Sequence, residues 1–133
     1  MARQSSSSRL APSVSYLGNN VTSNVDLNSV DGLVGLFQKV ARGQVFNAVS
    51  SLEAAERSGL NQGHAWNATS VELAAAAMAH VRSHIISEFA ATLRTKVISP
   101  ELRSTLEDIF QLLALFWIQR HSGDFLRHSG LQV

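Results

Sequence analysis

Cysteine is absent from the 133 residues of this chain, which removes disulfides, thiolate metal ligands and a cysteine nucleophile at once. Proline is nearly absent: it occurs only at positions 12 and 100, so nothing between them breaks a helix by fixing φ and deleting an amide donor. Charge is sparse and balanced, at 16% of residues with a formal net charge of +1, and leaves no basic stripe for nucleic acid or an anionic membrane. Long hydrophobic runs are missing too. The longest, Leu112 to Ile118, stops at Gln119 and Arg120, short of the roughly 18 residues that mark a membrane span. Met1 to Ser8 is a polar, serine-rich stretch without the apolar segment of a secretory signal, so the sequons at Asn20 and Asn67 are not expected to carry glycan.

What the chain does contain is apolar residues at helical spacing. With 45% hydrophobic residues it has the material for one core, and its length fits a single domain. Residues 1–28 hold few anchors, among them Leu10, Val14, Tyr16 and Leu17, and read as an extended or disordered arm. A first helix is predicted from near Asn28 or Ser29, short polar residues that can cap free amides, with Asp31 well placed for the helix dipole. Its stripe is Val30, Leu33, Phe37, Ala41, Val45, Ala48, Leu52 and Ala55, and Ser58-Gly59 supplies the stop. Gly32, Gly35 and Gly43 each weaken it by about 1 kcal/mol relative to alanine.

A second, unbroken helix is predicted from about Ala65 to Arg94. Ala74 to Ala77 would let neighbouring backbones approach, which makes this the expected central and most buried helix. Ser99 as cap and Pro100 in the first turn announce a third, with a stripe of Leu102, Leu106, Ile109, Leu113, Phe116 and Trp117, an end at Ser122-Gly123, and one further turn over Asp124 to His128. The fold class is therefore all-α: an antiparallel bundle of three main helices with no strand pattern competing.

Residues with chemistry are few. His80, His84 and Glu88 recur at intervals of four, on one helical face, a ladder that can surround a metal, although the HExxH pattern is missing and histidines bonded at a helix interface are the favoured reading. Arg82, near the apolar side, is expected in an ion pair or on a carbonyl. Asn67, Thr69 and Ser70 are expected to cap and pack locally. Glu72, Glu88, Glu101 and Glu107 are formal general-base candidates, yet none has a sequence neighbour that would position it or raise its pKa. Ser5 to Ser8 is a flexible run, and neither a GxSxG elbow nor a glycine-rich phosphate loop is present.

Four segments carry a likeness in the right order. Ala65-Trp66-Asn67-Ala68-Thr69-Ser70-Val71-Glu72-Leu73, continuing to Ala79-His80 and Phe89, resembles the AWN-x-TSV-[DE]-L element of the acyl-CoA oxidase C-terminal helical domain. Gly123-Asp124-Phe125-Leu126 resembles the GDFL element of that family, Val14-Ser15-Tyr16-Leu17 its VSYL segment, and Val25 to Ser29 the lead-in to the next helix. The resemblance implies that residues 29–133 are an incomplete C-terminal helical domain of a peroxisomal, FAD-dependent oxidase of fatty acid β-oxidation, which converts acyl-CoA and O2 to trans-2-enoyl-CoA and hydrogen peroxide. This segment is then structural, serving subunit packing, with homodimer formation or self-association through helical faces.

The family's catalytic glutamate lies upstream of VSYL, and nothing here matches its motif, so no catalytic, cofactor-binding or metal role is carried to any residue; FAD is not expected to bind this chain alone. The helices after GDFL and a peroxisomal C-terminal tripeptide lack counterparts, since the chain ends Leu131-Gln132-Val133, and Gln4 to Ser8 stands where the family has helix. A truncated, alternatively spliced or partial product is the expectation. The rival reading is a stand-alone helical interaction module without enzymatic activity.

Overall fold

The computed structural model describes residues 11–18 and 26–129. The serine run, Asn20, Val25 and the C-terminal Leu131 to Val133 lie outside the described residues. A 3-10 helix, Pro12–Gly18, precedes five α-helices: α1 Val30–Arg57, α2 Gln62–Ala68, α3 Ser70–Thr95, α4 Pro100–Arg120 and α5 Ser122–Ser129. The three long helices match the expected bundle, and no strand occurs among the described residues.

Local chemistry fixes most ends where the sequence placed them. Ser29 caps α1, its hydroxyl accepting from the Gly32 amide at 3.0 Å. At the other end Gly59 takes φ +96, its amide donates to Glu56 and that of Leu60 to Ala55, a Schellman closure that a side chain at position 59 would strain. Ser99 caps α4 with Pro100 in the first turn. The Arg103 guanidinium donates to the Leu93 and Lys96 carbonyls, closing the turn from α3 into α4. An ion pair between Asp31 and Arg94 ties the start of α1 to the end of α3, so the two run antiparallel.

Three expectations need correction. The predicted helix from Ala65 is two helices, starting earlier at Gln62 under an Asn61 cap and breaking at Thr69, whose backbone leaves helical values at φ −107 and ψ 15. There the buried Thr69 hydroxyl shares the Ala65 carbonyl with the Thr69 amide, the back-bonding that bends helices. Secondly, α1 and not α3 is the hub: α1 touches the 3-10 helix and every other helix. Its buried face is built of Leu33, Leu36, Phe37 and Val40, whereas α3 presents Ala76, Ala79, Ser83 and Ala90, small side chains that bring the two axes together, with Ile86 and Leu93 as its large buried residues. Thirdly, α4 buries Phe110 and Ala114, with Leu106, Leu113 and Trp117 partly covered, while Leu102, Ile109 and Phe116 of the expected stripe face outward.

The main core joins those α1 residues to Ile86, Ala90 and Leu93 of α3, Phe110 and Ala114 of α4, and Phe125 of α5. Phe125 meets Phe37 edge-on at 4.9 Å and Phe89 meets Phe110 in the same manner at 5.4 Å, the favoured geometry for aromatic quadrupoles. The extra turn expected after Gly123 is thus a docked helix. Part of the expected arm packs as well: Tyr16 is buried against Ala41 and Ala79 in a smaller cluster.

Candidate functional site

The 3-10 helix crosses the groove between α1 and α3 and turns the histidine ladder into one wall of a cavity. The Tyr16 hydroxyl and His80 Nδ1 are hydrogen-bonded at 2.8 Å, the imidazole tautomer deciding which side donates, and the two rings stack with centroids 5.8 Å apart. Burial raises the Tyr16 pKa, which keeps the phenol protonated as a hydrogen-bonding group. The His84 ring lies nearly parallel to that of His80, with centroids 6.5 Å apart.

One turn further, Glu88 joins His84 on the wall of a cavity of about 370 Å³, across from Pro12 and Tyr16. Ser13, Ser83, Ser87 and Gln38 add to its polar lining. His80 is turned toward Tyr16, so the ladder places His84 and Glu88 here without its third member, and among the described residues no three His, Asp or Glu side chains come together as a metal-holding set. Ser83, Ser87 and Gln38 escaped the sequence reading. The available signal was two serines four apart, Ser83 and Ser87, each one residue before a member of the ladder, His84 and Glu88.

The remaining candidates stay separate. Thr69 gives its hydroxyl back to Ala65 and makes no side-chain cap for α3, while Asn67 and Ser70 are exposed. Of the four glutamates, Glu88 stands on the cavity, Glu72 lies four turns away on α3, and Glu101 and Glu107 belong to α4. Arg82 does not make the expected ion pair among the described residues. It stands in a crevice with Asp124, His121 and Phe125, where α5 meets α3.

The two histidines bounding α5 share a trend. Burial lowers the His121 pKa, aided by the Arg82 and Arg120 charges and opposed by Asp124; burial also lowers that of His128, aided by Arg127 and opposed by Asp124. His128 lies against Gly43 of α1, where a β-carbon would overlap its ring, and its buried Nε2 has no hydrogen-bond partner.

A flavin dinucleotide does not fit these residues. The cavity walls are mid-helix stretches of α1 and α3, whose backbone amides are spent within the helices, and Glu88 would repel a pyrophosphate.

Comparison with known proteins agrees with the segment likenesses. The family profile described as acyl-CoA oxidase matches residues 29–132. A peroxisomal acyl-coenzyme A oxidase 1 from Phascolarctos cinereus is 32% identical over 103 residues, covering 77% of this chain and 15% of that protein. Peroxisomal acyl-coenzyme A oxidase 2 from Mus musculus is 39% identical over 80 residues, covering 58% of this chain and 12% of the relative. Among solved structures, acyl-CoA oxidase 3 of Yarrowia lipolytica superposes with a TM-score of 0.84 at 26% identity, over 92% of this chain and 18% of its own. Acyl-CoA oxidase-1 of Caenorhabditis elegans, at 23% identity and a TM-score of 0.85, shares the fold over 94% of this chain and 20% of its own. The chain thus spans less than a fifth of the length of the relatives quoted by sequence, and it belongs to the acyl-CoA oxidase family.

Proposed function

We propose that residues 29–133 act as a structural, incomplete C-terminal helical domain within an FAD-dependent acyl-CoA oxidase of peroxisomal fatty acid β-oxidation. The family is FAD-dependent, and relatives of this chain are named peroxisomal. The full reaction, acyl-CoA plus O2 to trans-2-enoyl-CoA plus hydrogen peroxide, belongs to the larger protein, and we assign neither the flavin surface nor the proton-abstracting carboxylate to any described residue here.

One observation carries the structural role. With the core closed on the α1 side, the outer faces of α3 and α4 are apolar and open: Val71 is 78% exposed, Met78 51%, Leu112 69% and Phe116 53%. Exposed apolar area of that kind marks a surface made to be covered, either by the rest of an oxidase or by a second copy. Transcript sequence on both sides tests the assignment. A flavin-domain reading frame continuous with this one supports it. A promoter and start at Met1 would favour the stand-alone interaction module, which would use the same open faces. Peroxide formed from acyl-CoA by the isolated chain with added FAD would overturn the structural role.

A further inference from the structure

The cavity beneath the 3-10 helix holds more hydrogen-bonding capacity than the fold uses. Ser83 is 2% exposed and opens onto the cavity, yet its hydroxyl has no hydrogen-bond partner among the described residues. Threonine hydroxyls of the helices return to the carbonyl four residues back, as Thr92 and Thr95 do at 2.9 Å, whereas the Ser83 hydroxyl does not. That hydroxyl opens onto the cavity, where it can both donate to and accept from a bound molecule. Around Ser83, the Ser87 hydroxyl, the Gln38 amide and the Glu88 carboxylate are equally unspent within the fold.

The wall has a definite chemistry. Ser83, His84, Ser87 and Glu88 occupy adjacent turns of one α3 face, and among the described residues the lining includes a carboxylate but neither lysine nor arginine. Pro12 and Tyr16 close the opposite side with ring surface, and Ser13 adds a hydroxyl-bearing residue there. The volume of about 370 Å³ falls near the lower end of small-molecule sites, roughly 300–1,000 Å³.

We propose that this cavity binds a small primary amine, its ammonium set against the Glu88 carboxylate and the Ser83 and Ser87 hydroxyls and its body against Pro12 and Tyr16. An ammonium group has three donors and no acceptor, which matches this set of oxygens. Glu88 repels phosphates, so the site is distinct in chemistry from any that would take acyl-CoA, and the inference does not rest on the oxidase reading. Because the Tyr16 to His80 bond holds the far wall in place, amine binding also tightens the 3-10 helix against α3.

The test is an NMR titration of the full ¹⁵N-labelled chain with tyramine, alongside choline, which has no N–H donor, and 4-hydroxyphenylacetate, which carries the opposite charge on a similar ring. Saturable shifts at the amides of residues 13–18 of the 3-10 helix, Gln38 and residues 83–88 are expected with tyramine and not with the other two. Glu88→Gln, at an exposed position that leaves the core intact, should weaken binding by about tenfold or more, the loss of a hydrogen bond to a charged partner. Ser83→Ala should weaken it by a smaller factor. No saturable shift at those amides up to millimolar tyramine, equal binding of the acid, or equal tyramine affinity in the parent and Glu88→Gln would each overturn the proposal.

Discussion

Ala76 and Ala77 are neighbours in sequence, yet a larger side chain at each would meet different surroundings. Ala76 lies on the buried line of α3 that continues through Ala79, Ser83 and Ile86, facing α1, whereas Ala77 is exposed. Ala76→Leu should destabilise the chain by about 1–3 kcal/mol through overpacking, and Ala77→Leu should stay within about 0.5 kcal/mol of the parent. Urea denaturation of both variants checks the register of α3, and equal midpoints would contradict it. Gly43 is a second such position. Alanine there would gain about 1 kcal/mol of helix propensity, but its β-carbon would overlap the Cβ, Cγ and Nδ1 of His128, too near the His128 backbone for a simple ring swing to relieve. Overpacking of about 1–3 kcal/mol then outweighs the propensity gain. Gly43→Ala should therefore lower stability in the parent, yet raise it in a His128→Gly background, where the Cβ and the ring are both gone. Urea denaturation reads both comparisons.

Element boundaries were largely legible, because capping is local chemistry. Ser29, Ser58-Gly59 and Ser99-Pro100 each act within a few residues, and each end formed where those residues stand. The break at Thr69 was less so: it depends on a threonine hydroxyl choosing the Ala65 carbonyl, inside a run that otherwise propagates helix. The faces of α4 could not be ranked from sequence. Leu112 to Ile118 is apolar all round, and only the positions of Phe37 and Phe89 decide that Phe110 and Trp117 turn inward. The cavity was half legible, since the histidine ladder was visible but its cover, the 3-10 helix, is recruited by a bond from Tyr16 to His80 across 64 residues of sequence.

The element with its own pH dependence is α5. His121 precedes it and His128 sits in its last turn; both have pKa values lowered chiefly by burial, so the folded state favours their neutral forms. Protons are then bound more readily by the unfolded chain. This contribution is fully present above the ordinary histidine value of 6.5, declines as pH falls below it, and stops changing once the lowered folded values are passed. Stability by urea denaturation should fall from pH 7.5 toward pH 5 as the sum of these two terms and the other titrating groups. The slope should be shallower in a His121→Asn, His128→Asn double variant. Amides of α5 should lose hydrogen-exchange protection before those of α1. An unchanged slope in the double variant would mean that these histidines do not govern the docking of α5.

At the scale of the whole molecule, the bundle is closed on one side only. α1 touches the 3-10 helix and the other four helices and leaves Phe46 and Val49 open, while α3 and α4 turn the longer set Val71, Met78, Ile85, Leu112 and Phe116 outward. Those outward positions recur at helical intervals, 71, 78 and 85 on α3 and 109, 112 and 116 on α4, so each helix carries a continuous apolar line in addition to the one it buries. Burying them again requires a second apolar surface, and for the chain by itself the surface on hand is another copy. The isolated chain should therefore self-associate, with a sedimentation profile that shifts toward larger species as concentration rises. Met78→Lys combined with Phe116→Glu should return it to monomer without loss of helix content, because neither side chain belongs to the core. A single monomeric species of the parent across a wide concentration range would show that these faces do not pair with themselves. Retained association in the double variant would place the contact elsewhere on the bundle.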